Sequence, residues 1–214
     1  MNGCRIGLIG REEEEELTWD VLNIIGTIAF AVSGALVAME EDYDILGVLT
    51  LGLVTAFGGG IVRNILIGVP VTTIWDQGLL LKTAVIAMAV IFLMPKGLIH
   101  HSKRWLNFFD AIGLSAFAIQ GAIFASNMHL PLSATIFAAM MTGIGGGIIR
   151  DVLAKRKPLV LRDEIYALWA MVAGVAIGLK VADTAPELYV LFGLIVILRM
   201  VSVKFQWKLP RRTL

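Results

Sequence analysis

Residues 57–64 read Phe-Gly-Gly-Gly-Ile-Val-Arg-Asn, and residues 144–151 repeat the phrase as Ile-Gly-Gly-Gly-Ile-Ile-Arg-Asp. Both copies lie inside long apolar stretches. Three adjacent glycines in a helix interior cost about 1 kcal/mol each relative to alanine. An arginine at the centre of a bilayer costs from about 2.5 to more than 10 kcal/mol. Because the chain accepts both costs twice, each copy indicates a functional site.

The phrase belongs to a longer internal repeat. The two glycine triplets begin at 58 and 145, 87 positions apart, and the same spacing aligns residues 26–35 with residues 113–122. In that alignment two glycines, one phenylalanine and three alanines match without a gap. Each unit contains three apolar segments, an odd number, so the second unit must enter a membrane from the opposite face. The sequence therefore predicts an inverted repeat, an architecture common in transport proteins. The alternative is two unrelated three-helix domains.

The composition indicates an integral membrane protein. The 214 residues are 57% hydrophobic and 16% charged, and the mean hydropathy is +0.81. Soluble chains carry about 25% charged residues. Helices are the expected spanning element, since alternating ten-residue strands are absent. We predict an all-α membrane protein with seven transmembrane helices: two inverted three-helix repeats plus a seventh helix. The approximate spans are 19–39, 45–68, 79–95, 107–126, 131–154, 164–181 and 187–204.

The same pattern divides the chain into segments. An acidic tail contains five consecutive glutamates, Glu12 to Glu16, and a basic tail ends the chain. Twelve lysines and arginines fall on one side of a seven-span arrangement, whereas the other side receives Arg5, Arg11 and Lys180. The positive-inside rule then places the N-terminus outside and the C-terminus in the cytoplasm. The predicted segments are 1–18 (acidic tail), 19–95 (first repeat), 106–181 (second repeat), 187–204 (seventh helix) and 205–214 (cytoplasmic tail).

Several function classes find no support in the residues. Cys4 is the single cysteine, which excludes an internal disulfide and a cysteine-based metal site. The three histidines lack metal-ligand spacing, and no basic stretch is interleaved with aromatic residues as in nucleic-acid binding. No nucleophile–base pair is visible within the spans, so we predict no catalytic residues, no enzyme activity and no cofactor.

The glycine triplets predict helix breaks at the middle of the membrane. A half-helix ending near Phe57 would direct the negative end of its dipole at the break, and backbone carbonyls there would attract a cation. The half-helix that resumes at Ile61 would present its positive end to the same region, and the arginines add positive charge, so the residues themselves leave the sign of the ion open. The alternative for the triplets is close helix packing through small residues. A dinucleotide-binding loop is also conceivable, but no strand precedes it. The predicted break residues are Gly58, Gly59, Gly60, Gly145, Gly146 and Gly147.

Other polar residues lie on the same segments. Ser33 and Gln120 are equivalent across the repeat, as are Asn23 and Asp110. Hydrogen bonds between helices are one account of Ser33 and Gln120, and lining a pore is the other. The full set of pore-lining or gating candidates is Phe57, Arg63, Asn64, Arg150, Asp151, Ser33, Gln120, Thr55 and Thr142.

The doubled Gly-Gly-Gly-x-x-Arg-Asn/Asp phrase, in a chain of this length with seven spans, resembles the prokaryotic branch of the trimeric intracellular cation (TRIC) channels. That branch overlaps a group of bacterial membrane proteins labelled as a glycine-transporter domain family. The resemblance implies a homotrimer in a prokaryotic plasma (inner) membrane, surrounded by membrane lipids, with one pore in each protomer. It also implies that the second and fifth helices line the pore and kink at the triplets, and that monovalent cations, chiefly potassium, are conducted.

Two functions follow as hypotheses. The leading one is a passive channel permeable to potassium, and to sodium as the second candidate, with a path between spans two and five that Phe57 narrows. The alternative is a secondary transporter for a small solute such as glycine. Coupled carriers usually hold acidic or polar ion sites at membrane depth, and the candidates for such sites here are Asp110 and Asp151.

Overall fold

The computed structural model describes residues 2–95, 102–162 and 165–207, and these residues form helices joined by short connections. A 3-10 helix, Val71–Asp76, follows the second main helix, and a single helical turn, Leu159–Arg162, follows the fifth. The seven main helices are α1 (Asn2–Glu40), α2 (Ile45–Ile67), α3 (Gly78–Leu93), α4 (Ser102–Asn127), α5 (Leu132–Leu153), α6 (Tyr166–Gly178) and α7 (Ala185–Lys204).

Five of these helices are long and apolar enough to cross a membrane: α1 from Glu16, α2, α4 from Lys103, α5 and α7. The other two, α3 and α6, are apolar but have 16 and 13 residues. At 1.5 Å per residue they extend about 24 and about 20 Å, less than the hydrocarbon thickness of about 30 Å. The N-terminal segment that we predicted as a separate tail is helical from Asn2 and continuous with α1.

The two repeats meet about a pseudo-two-fold axis. A Cβ atom placed on Gly26 would lie 2.9 Å from the ring of Phe117, and one placed on Gly113 would lie 2.1 Å from the ring of Phe30. These are the same contact made twice, because each residue of one pair is 87 positions from its counterpart in the other. The two phenylalanine rings pack edge to face, with 5.3 Å between their centroids. Since 26 faces 117 and 30 faces 113, α1 and α4 run antiparallel, as an inverted repeat requires.

The glycine triplets mark the crossing of α2 and α5. A Cβ atom on Gly59 would lie 2.3 Å from the carbonyl oxygen of Thr142, and one on Gly146 would lie 2.1 Å from the carbonyl oxygen of Thr55. The contacts are again reciprocal at the spacing of 87. Glycine is therefore required here because the backbones of the two helices touch.

The helix breaks predicted at the triplets are not confirmed. The α2 helix is continuous from Ile45 to Ile67, through its triplet, and α5 is continuous from Leu132 to Leu153. The cost of three adjacent glycines to helix stability is offset by close packing between α2 and α5, which the glycines permit because they carry no side chain. The packing alternative therefore describes the triplets better than the break does.

The seventh helix packs beside the second repeat. Its apolar residues Leu188, Leu191 and Ile195 join the buried cluster that contains Leu114 and Ala170. The other side of α7 is open, with Val190 71% exposed and Ile197 61% exposed. Such apolar surface is expected where a helix faces lipid.

Candidate functional site

The arginine of the second phrase lies in a buried ion network. The Nη1 atom of Arg150 donates to Asp110 Oδ1 at 2.7 Å and to the hydroxyl of Ser33, and its Nε donates to Asp151 Oδ1 at 2.8 Å. Asp151 accepts a further bond from the backbone N–H of Leu159 at 3.1 Å. Arg150 and Asp110 are each 1% exposed. A charge this deeply buried is tolerated only when it is paired and hydrogen-bonded.

Two residues outside the predicted set complete this network. The hydroxyl of Tyr166, the first residue of α6, donates to Asp110 Oδ2. The Cζ atom of Arg199, on α7, lies 4.5 Å from the centroid of the Tyr166 ring, a cation–π contact. The network thus joins α1, α4, α5, α6 and α7, and it brings two arginines together with two aspartates. We call this the Arg150 end of the bundle.

The arginine of the first phrase has a different environment. Arg63 donates through Nε and Nη2 to Asn64 Oδ1, at 3.1 and 2.9 Å. Its Cζ atom lies 4.3 Å from the centroid of the Phe124 ring, and Asn64 donates to the hydroxyl of Thr73 in the 3-10 helix at 3.1 Å. Within the described part of the chain, no carboxylate lies within ion-pair distance of Arg63. We call this the Arg63 end.

The difference between the two ends follows from substitutions in the repeat. Where the Arg150 end has Asp151 and Asp110, the equivalent positions 87 residues earlier carry Asn64 and Asn23. Gln120, the equivalent of Ser33, donates to the carbonyl oxygen of Trp19 at 3.2 Å. The repeat therefore keeps the arginine in both halves but keeps the carboxylates only in the second.

A cavity opens at the Arg63 end. A chamber of about 50 Å³ reaches from Trp19 and Arg63 to Thr142, between α1, α2, α4 and α5. A wider groove of about 380 Å³ lies outside it and is lined by Arg63, Asp20 and Asp76, among others. Predicted site residues that line the chamber are Phe57, Gly60, Arg63, Asn64, Gln120 and Thr142.

The Arg150 end is closed. The space beside Arg150, Asp151 and Tyr166 has no room for a water molecule among the described residues. None of the described residues that line the chamber at the Arg63 end belongs to the ion network.

The remaining predicted residues lie at the helix crossing or in the network. Thr55 and Thr142 are buried and each donates to the carbonyl one turn earlier, at 2.6 Å to Leu51 and 2.6 Å to Ala138. Gly59 and Gly146 hold the crossing, with Gly58 and Gly145 beside it. Ser33 is in the ion network. Among the described residues, no group of three His, Cys, Asp or Glu side chains is placed to hold a metal ion.

A second set of ion pairs lies at the surface of the Arg150 end. Arg156 donates to Glu40 at 2.7 Å and to Glu41 at 2.6 Å, and Tyr43 donates to the carbonyl oxygen of Leu153 at 3.2 Å. Burial lowers the pKa of Arg156, but the hydrogen bonds and charges of the two glutamates outweigh burial, so its pKa is raised. These contacts tie the end of α5 to the connection between α1 and α2.

Comparisons with known proteins agree with the repeat. The family model described as "Glycine transporter" matches the chain twice, at residues 20–96 and at residues 107–180. A UPF0126 membrane protein of Bacillus subtilis strain 168, YvgT, is 57% identical over 197 residues, covering 92% of this chain and 98% of the relative. The UPF0126 inner membrane protein YadS of Escherichia coli K12 is 36% identical over 196 residues, covering 88% and 93%.

Solved structures match at similar coverage. A crystal structure of a prokaryotic TRIC channel in 0.5 M KCl matches with a TM-score of 0.81 and 35% identity, covering 91% of this chain and 100% of that one. A structure from work on conductance through TRIC cation channels gives 0.79 and 37%, covering 91% and 97%. A TRIC orthologue from Rhodobacter sphaeroides gives 0.78 and 31%, covering 88% and 98%.

Proposed function

The chain belongs to the UPF0126 family of bacterial membrane proteins, whose family model is described as a glycine transporter, and we propose that it is a cation channel. The observation that carries the proposal is the match to TRIC cation-channel structures over 91% of the chain at 35–37% identity. The polar chamber between α1, α2, α4 and α5 supports it independently. The channel assembles as a homotrimer, in keeping with the trimeric proteins that it resembles, and each protomer has its own pore.

In this proposal all seven helices cross the inner membrane of a prokaryote. The pseudo-two-fold axis relates the three helices of one repeat to the three helices of the other, so α3 and α6 are counterparts. Both are shorter than the hydrocarbon core, and the residues that flank them complete the crossing. Basic residues gather at the Arg150 end, where α4 begins and where α5 and α7 end. That end faces the cytoplasm and the Arg63 end faces outward.

The ion path runs through the middle of each protomer. Monovalent cations, potassium above all, enter the groove at the Arg63 end, where Asp20 and Asp76 add negative charge beside Arg63. They pass Asn64, Gln120 and Phe57 in the chamber and reach Thr142 at the crossing of α2 and α5. We place the closed point of the path at the ion network of Arg150, Asp110 and Asp151, because the space beside Arg150 has no room for a water molecule among the described residues.

Single-channel recording of the purified protein in a planar bilayer, in asymmetric potassium chloride, tests the proposal. We expect discrete current steps that reverse near the potassium equilibrium potential. A reversal near the chloride equilibrium potential would contradict cation selectivity. A silent bilayer, together with saturable glycine uptake by liposomes of the same preparation, would show a carrier instead.

Arg63 is expected to limit cation entry. Because Arg63 lines both the chamber and the outer groove and has no paired carboxylate among the described residues, Arg63→Gln should raise the unitary potassium conductance in 0.1 M salt about two- to fivefold. The increase should shrink in 1 M salt, since the screening length falls from about 10 Å to about 3 Å. Lys180→Gln is the matched control, because Lys180 is exposed at the same end and does not line the chamber. Equal conductance in wild type and Arg63→Gln would show that the charge of Arg63 does not act on ions in the path.

A further inference from the structure

An exposed groove lies between the start of α4 and the end of α7, at the Arg150 end and apart from the pore chamber. It has a volume of about 470 Å³ and is lined by Arg104, Trp105, Phe108 and Met200. Small-molecule sites typically have volumes of about 300–1,000 Å³. Trp105 is 46% exposed and Phe108 is 38% exposed, so two large aromatic side chains are left partly open beside an arginine.

We propose that this groove binds one anionic phospholipid. Its acyl chain lies against Trp105, Phe108 and Met200, and its phosphate accepts hydrogen bonds from the guanidinium of Arg104. Arginine suits this role because its planar group can bind a phosphate through two parallel hydrogen bonds. Within the described residues, no carboxylate lies within ion-pair distance of Arg104, so its charge is available to a ligand.

The surroundings favour a lipid over a protein partner. Lys103 is the neighbour of Arg104, and Lys204 is the last residue of α7 at the same end of the bundle. Basic pockets between transmembrane helices on the cytoplasmic side are a known setting for anionic headgroups. Trp105 and Trp207, both exposed, have the amphipathic rings that lie at membrane interfaces. A lipid supplies in one molecule both the apolar chain and the anion that the groove requires.

The groove also contacts the helices that hold the ion network. The ring centroid of Trp105 lies 6.1 Å from that of Phe109, which directly precedes Asp110. Met200 directly follows Arg199. An occupant therefore contacts both α4 and α7 next to residues of the network. The site itself does not depend on what the protein conducts.

Native mass spectrometry of the full chain in neutral detergent tests the proposal. The purified protein is mixed with equal amounts of phosphatidylglycerol and phosphatidylcholine that carry the same acyl chains, and the retained lipids are counted. We expect phosphatidylglycerol to be retained about fivefold more than phosphatidylcholine, which corresponds to about 1 kcal/mol. Arg104→Gln should abolish this preference, and Met200→Trp, which fills the groove, should reduce retention of both lipids.

The control is Lys157→Gln, which removes one exposed positive charge at the same end without touching the groove. It should leave the preference for phosphatidylglycerol intact. Unchanged preference in Arg104→Gln would overturn the proposal. Equal losses in Arg104→Gln and Lys157→Gln would also overturn it, because they would show general surface attraction. Retention of neither lipid would likewise overturn the proposal and would leave a second copy of the chain as the next occupant to test. Since the Arg104 side chain is exposed, its substitution should not prevent folding, so the test does not depend on Met200→Trp.

Discussion

Gly146→Ala is expected to lower the midpoint of thermal unfolding by about 5–10 °C, or to prevent the protein from accumulating in a folded form. The added Cβ atom would lie 2.1 Å from the carbonyl oxygen of Thr55, where neither backbone can move without separating α2 from α5. Overpacking of this kind costs about 1–3 kcal/mol or more, and about 1 kcal/mol shifts the midpoint by about 2–4 °C in a chain of this size. Gly59→Ala should have a similar effect because it makes the reciprocal contact with Thr142, at 2.3 Å.

The third glycine of each triplet provides the control with the opposite sign. A Cβ atom on Gly60 would find its nearest neighbour at 3.9 Å, the Nη2 atom of Arg63, and one on Gly147 would lie 3.4 Å from the hydroxyl of Tyr166. With no clash, alanine at Gly60 should stabilise α2 by up to about 1 kcal/mol through its higher helix propensity. The midpoint of thermal unfolding, followed by the monodispersity of the detergent-solubilised protein, compares Gly59→Ala and Gly146→Ala with Gly60→Ala. Equal effects at Gly59 and Gly60 would show that the triplet acts through helix propensity and not through the crossing.

The repeat could be predicted because the same residue types recur at a fixed spacing, and their role is to make room for, or to fill, one packing contact. Gly26 and Gly113 match at the spacing of 87, as do Phe30 and Phe117, and the structure shows that each glycine exists to receive the phenylalanine of the other repeat. The spacing of 87 was therefore enough to predict that the two repeats are related by a two-fold axis. It did not contain the contact, since nothing in the sequence indicates which glycine faces which ring.

The prediction of helix breaks was not confirmed, and the reason is physical. Helix propensity assigns a cost to three adjacent glycines, but it takes no account of what a neighbouring helix gains by close approach. At Gly59 and Gly146 the neighbour is the backbone of the other repeat, and packing of that kind appears in a sequence only as a pair of small-residue positions. The signal that the sequence does offer is that the triplet occurs twice. That doubling fits a contact between the two copies as well as it fits two equivalent functional sites.

Tyr166 and Arg199 could not be found from the repeat. The position 87 residues before Tyr166 is Leu79, and Arg199 lies on α7, which has no counterpart in either unit. An arginine within the last apolar span was the one signal, because such residues in membrane helices usually pair within the protein. The equivalence of Asn23 and Asp110 was visible in the sequence, but the ion pair between Asp110 and Arg150 required the structure.

The two arginines of the repeat should respond very differently to the same substitution. Arg150→Gln leaves Asp110 and Asp151 buried with their main cation removed, which should cost about 3–5 kcal/mol of the free energy of unfolding. Arg63→Gln leaves no carboxylate without a partner among the described residues, so it should change the free energy of unfolding by less than about 1 kcal/mol. Unfolding of the purified variants by heat or by denaturant in a fixed detergent gives the comparison. The double variant Arg150→Gln/Asp110→Asn should recover part of the loss, because it removes the opposing charges together and places asparagine where the first repeat has Asn23. Equal losses for the two arginines, or a double variant no better than Arg150→Gln, would show that the network does not stabilise the Arg150 end through its charges.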